Sequence, residues 1–150
     1  MTGRDDMMTE QSMIQPQQIA LTGDEWDAVR TILDELEKNT RVVAVYLFGS
    51  RVHGRARPYS DIDLCIVVSP GIAAAEKEDI LCHSSPVFDI SIFSDLSLPI
   101  RRRVVGEGVL LFCRDDLFIH RITVRTIRDY QDALPRIERS TARILGDRRV

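Results

Sequence analysis

The spacing of apolar positions changes several times along the chain, and each change predicts an element. Trp26, Val29, Leu33 and Leu36 recur at intervals of three, four and three, which makes one apolar face of a helix. Ahead of them Thr22-Gly23-Asp24-Glu25 has the form of a capping box, in which a hydroxyl and a carboxylate satisfy free amides at the helix start. Arg41 to Phe48 is continuously apolar and rich in β-branched residues, which predicts a strand covered on both faces. Asp61 to Val68 predicts a second strand, ended by Ser69-Pro70-Gly71, and residues 72–82 a short helix. Pro86 to Phe93 predicts a third strand. Ser97 and Pro99 open another short helix, with proline tolerated in its first turn, and Gly106 and Gly108 close it. Val109 to Cys113 is a last short strand. From Asp115 to about Leu145 the pattern is helical again, with Ile127, Tyr130, Leu134 and Ile137 as a narrow stripe, and Pro135 is expected to kink or divide that helix.

The order helix, strand, strand, helix, strand, helix, strand, helix predicts an α/β fold: a small mixed β-sheet flanked by helices, with a C-terminal helix. Residues 1–20 are polar, Met- and Gln-rich and without period, and read as a disordered leader. Residues 22–150 then form one domain, whose C-terminal helical segment starts near 115, and a chain of 150 residues suits one core.

Charge is unevenly spread. Residues 1–100 carry 8 Lys/Arg against 16 Asp/Glu, and residues 101–150 carry 12 Arg against 7 Asp/Glu, so the basic end suits an acidic partner or a solvated helix. Cys65, Cys82 and Cys113 form no CxxC pair, and an odd count suits a reducing compartment. His53, His83 and His120 make no zinc pattern. No apolar run reaches spanning length and no signal peptide is visible, so the expected location is the cytoplasm, away from membranes.

Acidic residues stand where they are costly. Asp61 and Asp63 are two apart at the start of an apolar strand, so their carboxylates project to one face and repel unless a cation sits between them. A hard divalent ion is the natural occupant, and Mg²⁺ is commonly held by one or two carboxylates plus substrate phosphates. Asp89 occupies the less apolar face of the third strand. If that strand neighbours the second, three carboxylates can hold two ions roughly 3.5–4 Å apart, the arrangement used for in-line nucleotidyl transfer. Gly49-Ser50, at the end of the first strand, allows close backbone approach to a phosphate and offers a hydroxyl. Arg51, Arg55 and Arg57 follow in the same loop and are candidates to neutralise triphosphate charge. Taken singly each motif has an ordinary reading: an exposed strand end, an edge residue, solvated arginines. The joint spacing is what points to a site.

The stretch LFGSRVHGRARPYSDIDLCIVV resembles the GSx10DxD signature of the DNA polymerase β-type nucleotidyltransferase superfamily, with Gly49, Ser50, ten residues, Asp61 and Asp63 in register. Within it the chain is most similar to prokaryotic minimal nucleotidyltransferases, the antitoxin halves of HEPN/MNT toxin–antitoxin pairs, over about residues 24–115. Tyr59 and the short helix 72–82 depart from that pattern. The resemblance implies that Gly49 and Ser50 grip the triphosphate of ATP, beside which Arg51, next in the loop, is a nucleotide-binding candidate by position. It implies that Asp61 and Asp63 bind two Mg²⁺ ions, and that Asp89 binds the catalytic ion and takes the proton of the incoming hydroxyl. The implied acceptor is a tyrosine of a HEPN ribonuclease toxin, silenced by AMP. Two other readings stay open. One is transfer to a small molecule, for which only about 35 residues follow the last strand to build an acceptor domain. The other is a non-catalytic antitoxin that inhibits by binding. Direct nucleic-acid binding is not expected.

Overall fold

A computed structural model of the chain describes residues 19–52 and 60–147. Residues 1–18 of the expected leader and the loop carrying His53, Arg55, Arg57 and Tyr59 lie outside the described residues, whereas Ile19 and Ala20, expected in that leader, are ordered: Ile19 packs against the core and the Ala20 amide donates to the Arg51 carbonyl at 2.7 Å. In chain order the elements are α1 (Gly23–Glu37), β1 (Val42–Phe48), a 3₁₀ turn (Gly49–Arg51), β2 (Ile62–Val68), α2 (Ala74–Leu81), β3 (Phe88–Ile92), a second 3₁₀ turn (Phe93–Asp95), α3 (Leu98–Glu107), β4 (Val109–Cys113) and α4 (Asp116–Asp147). The capping box at the start of α1 is complete: Glu25 N–H donates to Thr22 Oγ1, and Thr22 N–H donates to Glu25 Oε1, both at 3.2 Å.

The four strands lie in the order β3-β2-β1-β4. β1 runs antiparallel to both β2 and β4, whereas β2 and β3 are parallel and joined through α2, so the sheet is mixed as expected. Sheet faces follow from alternation. Val45 and Leu47 of β1 and Leu64 and Ile66 of β2 pack with Val29 and Leu36 of α1 and Ile80 of α2. Ala44 and Tyr46, with Cys65 and Val67, pack on the opposite side with Val104 of α3 and Ile119 of α4. Burial on both sides explains the unbroken apolar runs of β1 and β2. Burial also lifts the Tyr46 hydroxyl above its usual range, opposed by a hydrogen bond with Thr123 that ties α4 to the sheet.

Two expectations about helix ends need correction. Gly106 does not end α3; the helix runs to Glu107 and Gly108 caps it. Of the two outcomes expected at Pro135, a kink or a division, division does not occur: α4 is one helix of 32 residues. Proline removes one amide from the ladder, and in a helix already continuous on either side that loss is tolerated at an exposed position. The N-terminal part of α4 is anchored by Ile119 and Thr126, both buried. Residues 141–146 are exposed, Ile144 by 61% and Leu145 by 59%.

Candidate active site

The site begins with the alternation of β2. Asp63 shares its face with Cys65 and Val67, the side covered by α3 and α4. Parallel pairing of β2 with β3 sets Asp63 directly beside Asp89, one step before Cys65 beside Ser91. Hydrogen-bonded neighbours of this kind lie roughly 4.8 Å apart in the sheet. Asp61 stands just before β2, where the Ile62 amide donates to the Val87 carbonyl at 2.8 Å and keeps the strand start paired. Asp61 and Asp89 are exposed, and Asp63 is half-buried.

The electrostatics follow from that placement. Burial, then the charges of Asp89 and Asp61, push the Asp63 carboxyl up to about 6. The fold thus gathers negative charge at a place that resists it, and a cation is the group that would relieve it. Among the described residues, no three His, Cys, Asp or Glu side chains stand close enough to hold a metal ion by themselves. A Mg²⁺ ion fits this donor set, because it takes hard oxygen ligands and fills its shell from one or two carboxylates, water and phosphate.

Gly49 meets the Asp63 carboxylate from β1. Phe48 pairs with Asp63, so the chain leaves β1 beside it. Gly49 has φ +83°, and a Cβ there would collide with the Asp63 carboxylate. Glycine is therefore required both by backbone conformation and by contact. The turn that follows is closed by the Val52 amide donating to the Gly49 carbonyl at 3.2 Å. A cleft of about 440 Å³ opens next to it, with Gly49, Ser50, Arg103 and Glu107 in its walls.

Arg51 is placed differently from its expected role as a triphosphate ligand. Its side chain is buried and its guanidinium is committed within the fold. Nη1 pairs with Glu25 Oε2 at 2.7 Å, and the side chains of the pair are 9% and 20% exposed. Nε donates to Ser60 Oγ at 3.0 Å, Nη1 to the Ala20 carbonyl at 3.1 Å and Nη2 to the Ser60 carbonyl at 2.6 Å. Partial burial works to raise the Glu25 carboxyl, but hydrogen bonds from the Thr22 amide, Arg51 and the Thr22 hydroxyl, with the Arg51 charge, hold it below its usual value. Gly49 and Ser50 do line the cleft, and Gly49 lies against the Asp63 carboxylate. Arg103 was not anticipated: it sits within three consecutive arginines, which in sequence read as a solvated helix face. The signal available was its spacing of four from Glu107, which puts both on one side of α3.

Residues 30–117 match the model of the family described as polymerase beta, nucleotidyltransferase. The chain belongs to this family. A curated relative, the probable protein adenylyltransferase MntA of Haemophilus influenzae, is 42% identical over 50 residues, which cover 33% of this chain and 41% of that protein. The chain thus matches well under half the length of that member. Among solved structures, it is similar to a chain of a toxin–antitoxin crystal structure with AMP-PNP, with TM-score 0.58 and 19% identity over 80% of this chain and 98% of the other. It is also similar to a chain from tri-AMPylated Shewanella oneidensis HEPN toxin in complex with MNT antitoxin, with TM-score 0.52 and 18% identity over 83% and 95%. At these identities the likeness shows the shared fold, and that fold agrees with the mixed sheet described above.

Proposed function

We propose that this protein is a Mg²⁺-dependent adenylyltransferase of the antitoxin type, which transfers AMP from ATP to a tyrosine of a HEPN-type partner and so silences it. The observation that carries the reading is the register of β2 and β3, which sets Asp63 beside Asp89 and against the Gly49 turn. The name of the MntA relative supports protein as the acceptor. The solved relatives, one a toxin–antitoxin structure with AMP-PNP and the other from a complex with a tri-AMPylated HEPN toxin, support ATP and the partner class. A reaction fed by ATP belongs in the cytoplasm.

In this reading Gly49 and Ser50 would receive the triphosphate, and Asp61, Asp63 and Asp89, with phosphate and water completing the shell, would hold two Mg²⁺ ions. When bound, Mg²⁺ supplies charge neutralisation at the transferring phosphoryl group and at the pyrophosphate leaving group. Asp89, exposed at its edge of the trio, takes the proton of the attacking hydroxyl. The test is co-expression with a HEPN-type partner, followed by intact mass of that partner. Increments of AMP that disappear with Asp63→Ala support the proposal. A partner that is inhibited yet unmodified would instead establish inhibition by binding alone.

A further inference from the structure

Triphosphate carries several negative charges, and the three carboxylates on the same face add more, so cations are needed at the phosphates as well as between the carboxylates. Arg51 is not free to supply one. Its Nε and both Nη atoms are engaged by Glu25, Ser60 and Ala20, and the residue is 7% exposed. Turning it outward would take from Glu25 its ion-pair partner and break three further hydrogen bonds.

Arg103 stands where Arg51 was expected to act. α3 covers the face from which Asp63 projects, since Val104 packs with Cys65 and Val67. The end of α3 also abuts the end of β1: a Cβ on Gly108 would lie 3.3 Å from the Leu47 carbonyl oxygen. That approach brings the last turns of α3 against the Gly49-Ser50 turn and makes Arg103 a wall of the cleft. Among the described residues Arg103 is the one cation in that wall, and it is exposed with no ion pair among them. Glu107, one turn further on, is already engaged in an interaction of its own.

We infer that Arg103 is a nucleotide-binding residue that grips the β- and γ-phosphates of the bound nucleoside triphosphate, the part assigned from sequence to Arg51. A guanidinium suits this task because its donors form a planar fork that matches phosphate oxygens. The inference rests on the proposed function, and the test separates the two. ATP and AMP binding to the full chain are measured by calorimetry with Mg²⁺, for wild type, Arg103→Ala, Arg103→Gln and Arg103→Lys. The expected result is about a tenfold or greater loss of ATP affinity in the alanine and glutamine variants, the scale of a charge-assisted contact, with intermediate binding by lysine. Affinity for AMP is expected to stay within about twofold of wild type, since the lost contact is to phosphates that AMP lacks. Unchanged ATP affinity, or equal losses for ATP and AMP, overturns the inference while leaving the proposed function standing. A wild-type protein that binds no ATP with Mg²⁺ defeats the functional reading itself, and this inference with it. Melting temperatures of the variants, expected to match wild type because Arg103 is exposed, confirm that the comparison is between folded proteins.

Discussion

Asp63 is where folding and chemistry make opposite demands. Burial and two neighbouring carboxylates raise its carboxyl from 3.8 to about 6, so the native metal-free protein holds a proton that the unfolded chain has released between those values. Stability tied to this group is therefore fully present below pH ~4 and lost as pH rises through about 6. Other groups contribute with the opposite sign, Glu25 among them, so the comparison must be between variants. In EDTA, Asp63→Asn is expected to gain melting temperature relative to wild type as pH goes from 4 to 7. Added Mg²⁺ is expected to stabilise wild type at pH 7, much less at pH 5, and the asparagine variant little at either. Parallel pH profiles of the two proteins in EDTA would refute this account of the site.

At the scale of elements, Arg51 joins three of them. It follows Ser50 in the turn, reaches Glu25 in the first turn of α1, and holds both the hydroxyl and the carbonyl of Ser60, the residue before Asp61. The phosphate turn and the start of the acidic strand are thus tied by one side chain. Arg51→Ala is expected to cost about 2–3 kcal/mol in urea unfolding, the range of charged hydrogen bonds lost from a buried site. Arg51→Lys is expected to recover little of that, since an ammonium cannot span Glu25, Ser60 and Ala20 together. Wild-type stability in Arg51→Ala would show that the network carries no load. These contacts also explain what the sequence could and could not reveal. The α1 capping box, the strands and the common face of Asp61 and Asp63 depend on local spacing, and local spacing is legible, whereas Asp89 joins them only through the pairing of β3 with β2. Which way Arg51 points depends on Ala20 and Glu25, 31 and 26 positions earlier in the chain, and no spacing rule within its loop carries that information. Arg103 escaped for the same reason: its partner surface is the end of β1, brought to it only by the fold.

Over the whole molecule, α4 has two parts with different roles. Phe118, Ile119 and Ile122 pack into the core on the α3 side of the sheet, and Thr126 is buried just beyond them. Cutting the chain after Cys113 would strip that face and is expected to unfold the protein. Further along, Leu134 and Ile137 are only half-covered, and Ile144 and Leu145 stand exposed. Ile127, Tyr130, Leu134 and Ile137 recur at three and four, and Ile144 stands two helical turns beyond Ile137, flanked by Arg136, Arg139 and Arg143. A helix of this kind costs ordering entropy that its own domain does not offset, and an apolar stripe with basic borders suits an acidic, partly apolar protein surface. A chain ending at Asp132 keeps Ile119, Ile122 and Thr126. It is expected to melt within a few degrees of the full chain and to retain ATP binding, because the Gly49 cleft and the carboxylates lie elsewhere in the fold. It is expected to lose co-purification with the HEPN-type partner, and with it the AMP increments on that partner. Retained partner binding by the shortened chain would move the docking surface off α4. A large drop in melting temperature would instead make the end of the helix part of the domain's own stability.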